Sequence, residues 1–352
     1  MDFHKWFKKF SYKMPRFQEY LDGLNLFQLE QLRKYTEGYP DPVRVYQMID
    51  NQIARIKGLP LQYKILVTGG AGFIGSRLIE SLLEGQHIVE SVDDYSIGSK
   101  DNHKDGCFYH SMAVDEFVKS EVGDKSNYDL IFHLAGRSRI QPSFDEPHGT
   151  FTANTNATSS LLQYAHERGI KVIYAGSSSR HHNPYQSPYA TTKHLGEELC
   201  RMYRESYGLE VEIVRFYNVY GRGEIIEGKW SAVIGIWRRQ VANKQPITIV
   251  GDGKQRRDFT RVEDIVCALM SIAFLNSDEH NVDAWELGSG TNYSILEVAN
   301  WFVDFAGASI EYVDNQKGNY QETLRISDEA IDLINWKPKD GLKDYIQSLY
   351  ND

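Results

Sequence analysis

Tyr189 and Lys193 stand four residues apart in Ser187-Pro188-Tyr189-Ala190-Thr191-Thr192-Lys193. Serine is a helix-capping residue type and proline suits a first helical position, so the spacing predicts a phenol and an ammonium on one helix face. A positive charge beside a phenol favours phenolate and is expected to draw Tyr189 down from an ordinary value of about 10. Such a tyrosine can take a proton from a substrate hydroxyl while the same carbon gives up hydride to an acceptor. Tyr and Lys also meet at this spacing by chance, so the pair needs a cofactor signal beside it. The run Ser177-Ser178-Ser179 follows an apolar, strand-like segment at 172–175. A hydroxyl there can hydrogen-bond the oxygen that Tyr189 deprotonates, although a serine run alone also reads as a plain loop.

The cofactor signal lies upstream, in Thr68-Gly69-Gly70-Ala71-Gly72-Phe73-Ile74-Gly75, where a strand-like segment meets a helical pattern that opens at Phe73 and Ile74. Gly69 supplies a tight turn, Gly72 lets phosphate approach the backbone, and Gly75 lets helix and strand pack closely. The next apolar segment, 88–92, ends at Asp93, whose carboxylate can accept hydrogen bonds from both adenosine ribose hydroxyls. The same charge repels a 2′-phosphate, which favours NAD over NADP. A glycine-rich surface turn is the plain alternative, and the order of strand, turn, helix and acid argues against it.

The 352 residues can bury a large core, and a net charge of -9 argues against a general nucleic-acid surface. Cys107, Cys200 and Cys267 lie far apart without metal or disulfide spacing, which points to a reducing cytoplasm. No apolar run reaches the length of a membrane span, and no signal-type apolar core opens the chain. Adjacent His181 and His182 would point to opposite sides of an extended segment, so no metal site is expected. Trp230 and Trp237, seven apart, read as one face of a helix packed in the core.

These groups must be positioned by alternating strands and helices. Strands are expected at 65–68, 88–92, 130–134, 172–175 and 211–215, with helices at 151–168 and 188–207. That alternation predicts an α/β, Rossmann-type doubly wound parallel sheet with its function at the strands' carboxyl ends. The expected division is a cofactor domain over 63–217, to which part of 258–290 returns, and a smaller C-terminal α/β substrate lobe over 218–352. Residues 1–62 are expected to form an added helical segment, with helices over 25–37 and 41–58. Their apolar stripes would pack on the body, a second subunit or a partner.

With these motifs in hand, the chain resembles the extended short-chain dehydrogenase/reductases, and among them the nucleotide-sugar epimerase and dehydratase family. The resemblance covers roughly 64–338: TGGAGFIG at Thr68, VDD at Val92, HLAG at His133, Asn154 opening a helix, YAGSSS at Tyr174, SPYATTK at Ser187, RFYNVYG at Arg215, GDGKQRRDF at Gly251 and WKP at Trp336. It implies NAD held by Gly69, Gly72, Phe73, Ile74, Gly75, Asp93, Asp94, Ala135, Asn154, Tyr189 and Lys193. It implies Tyr189 as acid/base, Lys193 on the nicotinamide ribose and Ser177 as assisting hydroxyl. A nucleotide diphosphate sugar, UDP-linked by expectation, would meet Ser178, Ser179, Asn218 and Arg257, and the chain would form a homodimer.

Family 4,6-dehydratases place an Asp and a Glu where this chain has Ser178 and Ser179, so dehydration is disfavoured and 4-epimerisation through a 4-keto sugar is expected. A decarboxylase or keto-sugar reductase on the same scaffold is the enzymatic alternative. A non-catalytic NAD-binding sensor, whose N-terminal helices dock a partner, is the alternative of another class. Three local departures from the family stand out. Arg180-His181-His182 replaces a Val-Tyr-Gly and begins a shortened loop that is expected to alter the sugar pocket. His110-Ser111 replaces an adenine-side Gly-Asp. Gln316-Lys317-Gly318-Asn319 replaces Arg-x-Gly-Asp, leaving Lys317 as the expected substitute charge on the diphosphate.

Overall fold

The structure, a computed structural model, describes residues 62–275 and 282–351 together with Leu21, Leu29 and Gln52, which are buried helical positions. The remaining residues of the helices expected over 25–37 and 41–58 lie outside the described set.

From Lys64 the chain alternates as the periodicity requires. It runs through β1 (Lys64–Thr68), α1 (Phe73–Glu84), β2 (Ile88–Asp93), β3 (Cys107–Ser111), β4 (Leu130–His133), α2 (Ala157–Arg168), β5 (Lys171–Ser177), α3 (Pro188–Tyr207) and β6 (Val211–Phe216). Beyond these come β7 (Asn218–Tyr220), α4 (Val233–Ala242), β8 (Ile247–Val250), β9 (Arg256–Arg261), α5 (Val262–Ala273), β10 (Trp285–Leu287), β11 (Asn292–Ser294), α6 (Ile295–Ala306) and β12 (Ile310–Val313). The main sheet is parallel throughout, in the order β10-β6-β5-β4-β1-β2-β3. β4 and β5 are buried at every position, as strands covered on both faces must be. The direction of winding reverses between β1 and β4, and a crevice opens there at the carboxyl edge.

Leu78, Ile79 and Leu82 of α1 pack with Ile265, Leu269 and Ile272 of α5 on one face of the sheet. Leu161 and Leu162 of α2 pack with Cys200 and Tyr203 of α3 on the other. A third core joins Trp237 of α4, Ile247 and Ile249 of β8 and Phe302 of α6. This core supports a parallel pair, β12-β8, and a three-stranded sheet, β11-β9-β7, on the far side of the crevice.

An ion network fixes α3 to the sheet. Glu197 of α3 is fully buried and accepts hydrogen bonds from Arg215 Nε and Nη2, the latter at 2.7 Å. Arg215 Nη1 donates to Glu286 of β10 at 2.7 Å, and Tyr217 donates to the other Glu286 oxygen at 2.6 Å.

Two local expectations are corrected. Residues 151–168 are not one regular α-helix, because a short helix Pro147–Phe151 and a wide π-type turn Thr152–Asn156 precede α2. The turn lets Asn154 point inward, where its Oδ1 accepts from Arg137 N and its Nδ2 donates to Arg137 O and Thr192 Oγ1. Trp237 is fully buried on α4, but Trp230 sits in a turn before that helix and is half-buried, so the two share no helical face.

Replacing Glu197 by Ala leaves the Arg215 charge short of a buried partner. The expected loss is about 3–5 kcal/mol in urea unfolding, and a loss below about 1 kcal/mol would contradict the network's role.

Candidate active site

The crevice is a cleft of about 990 Å³ running from the β1–α1 turn, past the ends of β4 and β5, to β8 and β9. At one end Gly69 adopts φ 75°, and a Cβ there would stand 2.8 Å from Ala135 N. A Cβ on Gly75 would stand 2.2 Å from the Gly69 carbonyl oxygen. The turn is therefore built for backbone approach, with Gly72, Phe73, Ile74 and Ala135 also on the cleft wall. Asp93 Oδ2 accepts from Ala71 N and Oδ1 from Tyr95 N, both at 2.9 Å. Each oxygen keeps acceptor capacity, so the carboxylate braces the turn and can still receive ribose hydroxyls. Asp94 lines the wall beside it and accepts from Ser96 N and Oγ. His110 turns away to Glu90, 2.8 Å from its Nε2, and Asp115 lines this end of the cleft instead. These glycines and acids fit a dinucleotide.

Midway along, Tyr189 donates to Ser177 Oγ at 3.0 Å, and Ser177 Oγ also accepts from Ser179 N at 3.1 Å. Ser187 caps α3 by accepting from Ala190 N, so Tyr189 and Lys193 share the face turned to the cleft. Lys193 Nζ donates to the Ala175 carbonyl at 2.8 Å. Burial pushes this ammonium down to about 8, while Glu197 one turn on opposes the fall. Burial pushes the Tyr189 phenol up rather than down, and the opposing influences are the Ser177 hydrogen bond and the Arg139 charge. The expectation that Lys193 lowers Tyr189 is thus corrected: its ammonium is committed to a carbonyl, and Arg139 supplies the nearby charge.

At the far end Asn218 donates from Nδ2 to the Asp258 carbonyl at 2.8 Å. Arg257 lines the cleft and, among the described residues, donates to the Arg256 and Tyr320 carbonyls, and burial pushes it down to about 10. Ser178 and Ser179 lie on the wall, and the Ser179 hydroxyl is buried. Asn154 is buried behind the wall as a clamp on the Arg137 peptide. Lys317 is not brought in: it is exposed, its ammonium 4.9 Å from the centre of the Phe144 ring, while Gln316 and Asn319 face the cleft. Lys317 therefore supplies no charge to the cleft wall, since this turn presents Gln316 and Asn319 there and leaves Lys317 facing outward. The Arg180-His181-His182 departure is structural. Arg180 pairs with Glu198, His181 with Glu286, and His182 stacks on Tyr320 at 3.9 Å between ring centres.

Residues 65–288 match the family described as "NAD dependent epimerase/dehydratase family". The chain belongs to this family. A Bacillus subtilis protein described as "Uncharacterized UDP-glucose epimerase YtcB" is 30% identical over 318 residues, covering 82% of this chain and 99% of that one. UDP-glucuronic acid decarboxylase 2 of Arabidopsis thaliana is 29% identical, covering 82% of this chain and 69% of its own. The solved structure of epimerase Mth375 from Methanothermobacter thermautotrophicus superposes with a TM-score of 0.75 at 28% identity, covering 81% of this chain and 90% of that one. As in this epimerase/dehydratase family, the cofactor is NAD.

The motif reading missed Arg139, Glu224 and Tyr320, which also line the cleft. Arg139 carried a usable signal, since it follows the HLAG motif at the carboxyl edge of β4. Glu224 and Tyr320 come from loops of the smaller lobe and carried none.

Lys193 yields a prediction whose sign follows from its burial. The folded value is about 8 against an ordinary 10.5, so between these pH values the unfolded chain binds more protons and stability rises with pH. Lys193→Met is expected to show a smaller rise than wild type when urea unfolding is compared at about pH 8 and about pH 10. Equal increments in the two proteins would overturn this.

Proposed function

We propose that the protein is an NAD-dependent nucleotide-sugar 4-epimerase acting on a UDP-sugar. The observation that carries the reading is the Tyr189 phenol bonded to Ser177 at 3.0 Å, with Lys193 one turn on and hydroxyls, not carboxylates, at 178 and 179. Bound NAD supplies the exchange of hydride at sugar C4. Tyr189 takes the C4 hydroxyl proton as C4 becomes a ketone and returns it when the hydroxyl re-forms. Ser177 holds the oxygen in line with the phenol, and Lys193 holds the nicotinamide ribose. Arg257 supports the diphosphate with the donors of its planar fork. The 4-keto sugar turns over within the cleft, so that its opposite face is reduced and the epimer results. Assembly as a homodimer through α2 and α3 accords with Leu195, Met202 and Tyr207 exposed on α3.

The Arabidopsis relative favours a second reading, decarboxylation after the same oxidation. Incubation with UDP-sugars and chromatography of the products separates the two: a C4 epimer without net NADH supports the proposal, and a pentose with carbon dioxide supports the second reading. Tyr189→Phe is expected to bind NAD normally and to lose roughly 10²–10⁴-fold in turnover. Undiminished turnover would remove Tyr189 from the mechanism. Ser177→Ala removes a hydrogen bond that lowers the Tyr189 value, so the acid limb of the pH–rate profile should move to higher pH. A limb that stays in place or moves down would show that Ser177 does not tune the phenol.

A further inference from the structure

Two departures from the family pattern, remote in sequence, meet at one contact. His182 ends the Arg180-His181-His182 substitution on the cofactor domain, and Tyr320 follows the Gln316-Lys317-Gly318-Asn319 substitution on the smaller lobe. Their rings are 3.9 Å apart between centres and 9° from parallel. Tyr320 is buried and lines the cleft, and the half-buried His182 backs it. The stack is one of several contacts that seat this segment across the crevice. Gln141 Nε2 donates to the Lys317 carbonyl at 2.8 Å, and the Lys317 ammonium lies over the Phe144 ring. Both partners belong to the short helix Ile140–Asp145. The Gly318 backbone comes so close that a Cβ there would stand 3.0 Å from Ile140 Cγ2 and 3.3 Å from the Gln186 carbonyl oxygen. Ser143 Oγ of the same short helix accepts from Tyr189 N at 3.2 Å, so the seat is bonded directly to the start of α3.

At its other end the segment joins β9. Arg256 N donates to the Gln321 carbonyl at 2.9 Å, and Thr323 N donates to the Arg256 carbonyl at 3.1 Å. Residues 317–323 therefore bridge the domain that carries Tyr189 and the strand that carries Arg257. Arg257 hangs on this bridge. Its Nη1 donates to the Arg256 carbonyl at 2.8 Å and its Nη2 to the Tyr320 carbonyl at 2.7 Å. Among the described residues, Tyr320 is the hydrogen-bond partner that its guanidinium has outside its own strand. Holding a long side chain in one geometry costs conformational entropy, so its anchor matters to where its planar fork points. If the Tyr320 carbonyl shifts, the diphosphate anchor shifts with it, while Tyr189 and Ser177 stay on the other domain. The span between the diphosphate and the reacting carbon is set by how Tyr320 is seated, and its seat is the His182 ring.

We propose that the His182–Tyr320 stack positions Arg257, and so keeps the 4-keto sugar tethered by its diphosphate while it turns over. The inference rests on the nucleotide-sugar 4-epimerase reading above and adds two positioning residues to it. Neither ring takes part in the chemical step. Once C4 is a ketone, its hydride is on the cofactor and its hydroxyl proton is on Tyr189, so the sugar is held chiefly through its phosphates. A keto sugar that slips this tether leaves without its hydride. Each escape then strands one NADH on the protein and yields no epimer.

The test has two readouts on the NAD-loaded protein: calorimetric titration with UDP, and NADH absorbance during incubation with UDP-glucose, UDP-N-acetylglucosamine and UDP-glucuronate in turn. His182→Ala is expected to bind UDP roughly three- to tenfold more weakly, the scale of one aromatic pair. It should also accumulate NADH beyond the wild-type level with the sugar that wild type epimerises. His182→Phe returns a flat ring to the stack and should restore both properties. His182→Leu fills the space without a flat ring and should show both losses, which keeps the comparison open if the alanine variant does not fold. Wild-type UDP affinity in His182→Ala and His182→Leu, no added NADH, or losses that His182→Phe does not restore would each overturn the inference. Should wild type bind no UDP or form no epimer, the reading above falls and this inference with it. Should wild type do both and the variants match it, this inference alone falls.

Discussion

The buried ion network of Glu197, Arg215 and Glu286 is the interaction on which the arrangement of the site depends. Tyr189 and Lys193 ride on α3, whereas Ser177 ends β5, so the 3.0 Å contact between phenol and hydroxyl is only as precise as the seating of that helix on the sheet. Glu197 lies one helical turn beyond Lys193 and is held through Arg215 to β6, and through Glu286 to β10. Apolar packing alone would let a helix slide by fractions of an ångström, while directional bonds to a buried carboxylate set its position along and about its axis. The same carboxylate sustains the charge on Lys193 against burial. Structural support and chemical tuning therefore come from one residue.

How much of this the sequence discloses depends on the range of the forces involved. The β1–α1 turn, the caps and the α3 face are local: Gly69 and Gly75 stand where a Cβ would collide with backbone, Ser187 and Pro188 are residue types that open a helix, and their meaning can be read from a few neighbours. The helix 188–207 is found where Ser187 and Gly208 bound it. The start of 151–168 is less legible, because the wide turn at Thr152–Asn156 exists to aim Asn154 at a peptide seventeen residues earlier. Lys317 shows the opposite limit. Charge bookkeeping along the chain suggested a replacement for a missing arginine, but side-chain direction in a turn decides which neighbour faces the cleft, and that direction has no local signature. Tyr320 and Glu224 reach the cleft through lobe packing alone.

The two ends of the cleft differ in their electrostatic character. Asp93, Asp94 and Asp115 gather near the glycine turn, where ribose hydroxyls and an adenine amino group are donors, and the cations gather at the other end. The phosphates of a dinucleotide do not need side-chain cations in this design, since backbone N–H groups at the start of α1 can meet them. Cationic side chains are thereby reserved for whatever lies beyond the nicotinamide. The substituted loop is tied into the fold: Arg180 pairs with Glu198, His181 binds Glu286 of the ion network, and His182 stacks on Tyr320.

The return of the chain to the main sheet bears on how the protein is made. β10 and α5 come from residues 262–287, after much of the smaller lobe has been threaded, yet they cover the β6 edge and the apolar side of α1. During synthesis the nascent chain therefore emerges with its glycine turn, Tyr189 and β1–β6 complete while one edge strand and one helix face still stand bare. Such surfaces are templates for pairing with other chains until the later segment arrives. The sheet that binds the cofactor is for this reason not a separable module: its last strand is delivered by the ribosome only after the lobe opposite it has begun to form.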